Sequence, residues 1–238
     1  MAEERRIWLG VAYGIESLAG KGPQVWNEPP AVAQALRELL SVLPATHVQI
    51  DLARLRARSE PAAEWTALLL READWGTLLA ELVAAVADSV RGRAAWGLGL
   101  PAPDVVAAAL GDASERGVLK AAVQLAGFLQ AFRTAGLDFV AVDLAGGAAA
   151  EKAIAPIFRN AQMYGWRQAA IVGDEVTLPD AAIRLLAREA LPASFWTGDT
   201  LAPASGDRTL LFGPIPPGID AAAIVAAGRR LQRWRDER

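Results

Sequence analysis

The chain has 238 residues, 53% of them hydrophobic and 21% charged, with a net charge of −3 and a pI near 5.3. That composition supports one α/β domain spanning 1–238, excludes intrinsic disorder, and shows no basic excess that would recruit nucleic acid or an anionic membrane. With no cysteine and one histidine, disulfides, thiol nucleophiles, thiolate zinc sites, iron–sulfur ligation and multi-histidine metal centres are all excluded.

The opening stretch MAEERRIWLG has charge but no long apolar run, so a secretory signal is not expected and a cytoplasmic protein is the simplest reading. Residues 7–12 read as the first strand, followed by a Pro/Gly-containing loop, LAGKGPQVWNEPP, and a helix over 31–42. A second strand spans 47–52. Helices follow over 62–72 and 75–91, the latter with Asp74 as a cap. Its apolar run, 78–90, is broken by Glu81 and Asp88 and is too short to cross a bilayer. Further strands are expected at 94–98, 139–143, 169–172, 194–197 and 209–212, making seven. The intervening helices are 104–110, opening at Pro103–Asp104, then 115–135, 149–164 and 180–190, opening at Pro179–Asp180. A last helix covers 219–237, preceded by a second long loop within GDTLAPASGDR. Strand runs such as FVAVD and AAIVG are continuously apolar, as in parallel strands covered on both faces, and this disfavours an antiparallel sandwich. The expected architecture is a (β/α)8-type barrel with outer helices, reduced or irregular because only seven strands are recognisable.

Several motifs fail on inspection. GLGLPA at 97–102 matches G-x-G-x-x-A after a strand, but Pro101 removes a backbone donor where a phosphate needs one, and no second strand ends in an acid some 20 residues on. The glycines around Lys21 have the wrong spacing for a phosphate loop, and no G-x-S-x-G elbow is present. His47 stands at the N-terminal end of its strand, whereas parallel α/β folds act at C-terminal ends, so it reads as structural. Arg54, Arg56 and Arg58, and the Arg229, Arg230, Arg233 and Arg235 cluster, read as solvated helix faces.

Carboxylates at strand ends carry the functional reading. Asp51 closes HVQID and Asp143 closes FVAVD, and in a barrel both would face one mouth, where carboxylates serve as acid or base. Helix capping or ion pairing is the competing role for each, with equal weight. Asp174 follows AAIVG and is a candidate substrate contact, although capping competes there too, as it does for Glu175 and Asp199. Tyr13 and Glu16, in the loop after the first strand, and Trp96 and Trp196, in strands, complete the candidate pocket; ordinary packing is their alternative.

Four segments together resemble the uroporphyrinogen decarboxylase superfamily, whose barrel also serves cobalamin-independent methionine synthase. LLFGPIPPGIDAAAIVAAGRRLQRW is similar to that superfamily's last strand, Pro/Gly turn and C-terminal helix; AAWGLGLPAPDVVAAALGD and FRTAGLDFVAVDLAGG resemble internal strand–turn–helix units; HVQIDLARL resembles the strand ending in the catalytic aspartate. The resemblance implies a barrel and places Asp51 where the decarboxylase aspartate binds pyrrole nitrogens. The expected arginine-rich motif is replaced by VAYGIESLAG, the Gly–His of the last strand–turn by Gly213–Pro214, and the zinc ligands of the methyltransferases are missing. The function expected is therefore that of a divergent barrel protein acting on or binding a small molecule, with no zinc or other metal and no cofactor. Asp51 and Asp143 would be its catalytic groups. The alternative is a non-catalytic scaffold that binds a partner protein.

Overall fold

A computed structural model describes residues 6–52, 73–144, 153–172, 175–177, 188–191, 193–198 and 210–236. Eight strands lie in one sheet: β1 (Arg6–Gly10), β2 (His47–Asp51), β3 (Ala95–Leu100), β4 (Phe139–Asp143), β5 (Arg167–Val172), β6 (Glu175–Thr177), β7 (Arg188–Ala190) and β8 (Leu210–Pro214). Their order is β6-β5-β4-β3-β2-β1-β8-β7. The six strands of five or six residues run parallel, β7 joins β8 in the same sense, and β6 turns back antiparallel on β5. Among the described residues no pairing joins β6 to β7, so the sheet is an open half-barrel and not a full (β/α)8 barrel; the α/β class and the irregularity expected from the sequence hold.

The helices are α1 (Ala12–Ala19), α2 (Pro29–Val42), α3 (Ala73–Val90), α4 (Pro103–Ala109), α5 (Glu115–Phe128), α6 (Ala155–Met163), α7 (Ala193–Thr197) and α8 (Ala221–Asp236), with 3-10 turns at Gly22–Asn27 and Leu129–Phe132. Proline opens α2 and α4, where its missing N–H costs nothing, and the Ser114 hydroxyl accepts from the Gly117 amide to cap α5. Three expectations change. The stretch after β1 is a helix, because Gly14, absent a side chain, lets α1 settle against Ile215 and Leu39. Residues 194–197 are helical, and Arg188–Ala190, expected as the end of a helix, pairs with β8 as a strand. The helix expected over 62–72 lies outside the described residues.

Side-chain alternation gives the sheet two unlike faces. Ile7, Leu9, Val48, Ile50, Trp96, Leu98, Leu100, Val140 and Val142 point to the helices and are part of one apolar core with Leu36, Leu39, Leu82, Val86, Leu125 and Ile224. The opposite, concave face carries Arg6, Trp8, His47, Gln49, Asp51, Gly97, Gly99, Phe139, Ala141, Asp143 and Arg167, aligned by the parallel register. Helix α8 closes against α2 at Gly228, where an added Cβ would come closer than 3.0 Å to the Val42 carbonyl oxygen.

A backbone oxygen cannot yield without moving α2, so Gly228→Ala is expected to cost about 1–3 kcal/mol despite alanine's better helix propensity. Gly14→Ala meets only methyl groups of Ile215 and Leu39 and is expected to cost less. Urea denaturation of the two variants beside the wild type measures the difference.

Candidate functional site

Strand β2 determines the site. Its residues His47, Gln49 and Asp51 share the concave face, while Val48 and Ile50 are sealed in the core. A polar row on a strand covered from both sides must find partners, since an unmatched buried amide costs about 1–3 kcal/mol. Gln49 finds two. Its Oε1 accepts from Trp8 Nε1 on β1 at 3.2 Å, and its Nε2 donates to Asp51 Oδ1 at 2.9 Å. The amide is thus oriented by the indole donor, and it presents an N–H to the carboxyl group above it.

Room for this pair comes from β3. A Cβ at Gly99 would come closer than 3.0 Å to Asp51 Oδ1 and Gln49 Nε2, and one at Gly97 would strike the Phe139 carbonyl and ring. The two glycines that mimic a dinucleotide fingerprint are therefore packing requirements: Gln49 and Asp51 lean over β3 toward β4.

Asp51 and Asp143 end strands separated by β3: Asp51 stands opposite Gly99, which stands opposite Ala141, two residues before Asp143 on the same face of β4. Burial raises the pKa of Asp51, the Gln49 hydrogen bond opposes that rise, and the charge of Asp143 adds to it. Asp143 itself is exposed. The site sets a half-buried carboxyl, whose burial favours its protonated form, near a second, exposed carboxyl group.

Other candidates lie elsewhere. Glu16 is buried on α1, where its Oε1 accepts from Trp26 Nε1 at 2.9 Å, tying that helix to the following 3-10 turn. Tyr13 is half-buried on the same helix. Trp96 faces the helices and lines a cavity of about 760 Å³ with Leu79, Val83, Phe128 and Ala135, on the side of the sheet away from Asp51. Trp196 is buried on α7 against Phe195, not on a strand, and among the described residues its Nε1 has no hydrogen-bond partner. Asp174 lies outside the described residues. Gln49, Trp8 and Gly99 were missed, although the spacing of His47, Gln49 and Asp51 at every second position of HVQID was the available signal. Among the described residues no three His, Cys, Asp or Glu side chains converge to hold a metal, and no helix is long and apolar enough to cross a membrane.

At the other end of the concave face His47 packs against Trp8 and Phe139, with ring centroids 5.7 and 6.0 Å away. Burial, then Arg6 and Arg167, lower its pKa to about 4, against a smaller raising effect of Asp138.

Two stability measurements follow. Between pH 6.5 and 4 the unfolded chain takes up a proton at His47 that the folded chain refuses, so acidification across that window removes up to about 3 kcal/mol. His47→Gln is expected to flatten the corresponding part of a plot of urea midpoint against pH. Asp51→Asn keeps the oxygen that Gln49 donates to but carries no buried charge. Its raised pKa makes the wild-type carboxyl costlier as pH rises, so the variant is expected to gain on the order of 1 kcal/mol at pH 7, vanishing in acid. A gain that persists unchanged at low pH would refute the charge as its cause.

No protein-family model matches the chain, and no curated protein matches it.

Proposed function

We propose that the chain is a reduced, divergent relative of the uroporphyrinogen decarboxylase superfamily that binds a small molecule over the Asp51–Asp143 mouth, with Asp51 as the proton-transferring group. One observation carries this reading: a half-buried carboxyl with a raised pKa, oriented by the Trp8–Gln49 chain and near a second carboxyl group at the C-terminal end of a parallel sheet. Strand C-termini are where parallel α/β proteins collect their ligands. A stability-costing carboxyl held by a dedicated hydrogen-bond chain is also characteristic of a working group.

The chemistry of the mouth constrains the ligand. Two carboxyl groups at one strand edge suit a neutral or cationic molecule with N–H or O–H donors better than a polycarboxylate, whose own charge they oppose. Protonated, Asp51 gives a proton to a basic atom of the ligand; Asp143, ionised, stabilises the positive charge that results. Asp51 then recovers a proton from solvent at the open edge.

Native mass spectrometry of the protein purified from its own host is the test. A small-molecule adduct is expected on the wild type, with its occupancy reduced at least about tenfold in Asp143→Asn, the equivalent of one lost charge-assisted contact. Asp51→Asn is expected to retain part of the binding and to abolish any conversion of the adduct. An adduct that survives both substitutions unaltered, or a wild type that holds none, overturns the proposal. Conversion that continues in Asp51→Asn leaves binding intact and removes Asp51 from the chemistry.

A further inference from the structure

The concave face has a second end. Its N-terminal rim places Arg6 of β1, His47 of β2 and Arg167 of β5 at inward register positions, around a floor of Trp8 and Phe139. Trp8 and Phe139 are 5% and 3% exposed, so the floor is sealed, whereas both arginines are exposed above it. No salt bridge engages either guanidinium among the described residues. Asp138, the described acid whose charge acts on His47, is committed elsewhere: its Oδ2 accepts from the Trp96 amide at 2.9 Å. On β3 the rim position is Ala95, which adds no charge.

The hydrogen bonds around Thr46 fix the histidine. The Thr46 hydroxyl accepts from the Ile7 amide at 2.9 Å and donates to the Ile7 carbonyl at 3.1 Å. It also lies 3.0 Å from His47 Nδ1, so that nitrogen is engaged by Thr46 and Nε2 is the ring nitrogen that points away from it. An acidic chain with net charge −3 thus holds two unpaired guanidinium groups and an imidazole nitrogen over one apolar floor.

We infer that this rim is an oxyanion site that takes a small multivalent anion, a phosphate or polycarboxylate group, between Arg6 and Arg167, with His47 Nε2 as the third contact. Guanidinium groups bind such oxygens in pairs, and a hydrogen phosphate can donate its own proton to Nε2. The bound negative charge offsets the field of the two arginines at His47, so anion binding and protonation of the ring reinforce each other. At a fixed charge state of the anion, binding strengthens as the ring takes up its proton. The site is distinct from the acidic mouth, and its test does not depend on that reading.

The chain's one histidine provides a single-site probe. Its ring resonances are followed by NMR at low salt while inorganic phosphate is added, with citrate and sodium chloride titrated separately at matched ionic strength. Phosphate or citrate is expected to give a saturable shift and to move the histidine's titration midpoint upward, with chloride giving neither; the tighter of the two assigns phosphate or carboxylate as the preferred group. Arg6→Gln and Arg167→Gln are each expected to weaken binding by about tenfold or more, while Arg6→Lys retains most of it. Both arginines are exposed, and unchanged urea midpoints establish that the variants fold. A shift that chloride reproduces, that does not saturate, or that persists in the Arg6→Gln/Arg167→Gln double variant overturns the inference.

Discussion

The hydrogen-bond chain from Trp8 Nε1 through the Gln49 amide to Asp51 is the constraint on which the concave face depends. Strand β2 lies between β1 and β3, and Gln49 at its centre is buried, so its amide has no bulk water to turn to. Satisfying Gln49 fixes a tryptophan on β1. Giving the Gln49–Asp51 pair space fixes Gly99 on β3, and the Phe139 ring below it fixes Gly97. Four strands are therefore coupled by one amide, and replacing any of these residues disturbs the others.

Much of the fold was legible in the sequence because helices and parallel strands announce themselves locally. The Pro103–Asp104 start signal and apolar runs ending in Gly, Pro or Asp located most elements to within a few residues. What escaped was non-local. AYGIESLA has no capping side chain and an internal glycine, so its helix depends on α1 docking against α2. The segment ASFWT is rich in β-formers yet forms a short helix whose Phe195 and Trp196 are buried, with Arg230 of α8 lying over the Phe195 ring at 4.9 Å. Closure of a barrel is still less local. It depends on whether the last strands meet, and here β6 reverses on β5 instead of extending the parallel series.

Where the candidate residues lie was legible by the same measure. Asp51 and Asp143 could be placed together because strand ends in a parallel sheet share one edge, whatever the curvature. Trp96 could not be placed without the register, since a one-residue shift exchanges the two faces: it stands beside Val48, not beside Gln49, and so belongs to the helix side. Glu16 was misplaced because an apparent loop acid is a helix residue already bound to Trp26.

The two ends of the concave face have opposite character, and the same aromatic pair separates them. Asp51 and Asp143 lie at the C-terminal rim, and Arg6 and Arg167 at the N-terminal rim; between them Trp8 and Phe139 meet edge to face at 4.5 Å. An apolar layer of that kind keeps water and counter-ions from crossing the interior, so the charges at the two rims do not neutralise each other directly. That separation explains the opposite pKa shifts. Asp51 is raised by burial and Asp143, while His47 is lowered by burial and the arginines, each group being displaced toward its neutral form. Both neutral forms suit the layer between them, because a charge at either position would face the low-dielectric floor. Trp8 belongs to both ends: its ring stacks on His47 and its N–H holds Gln49, so the interior is one packed unit that joins the imidazole below to the carboxyl above.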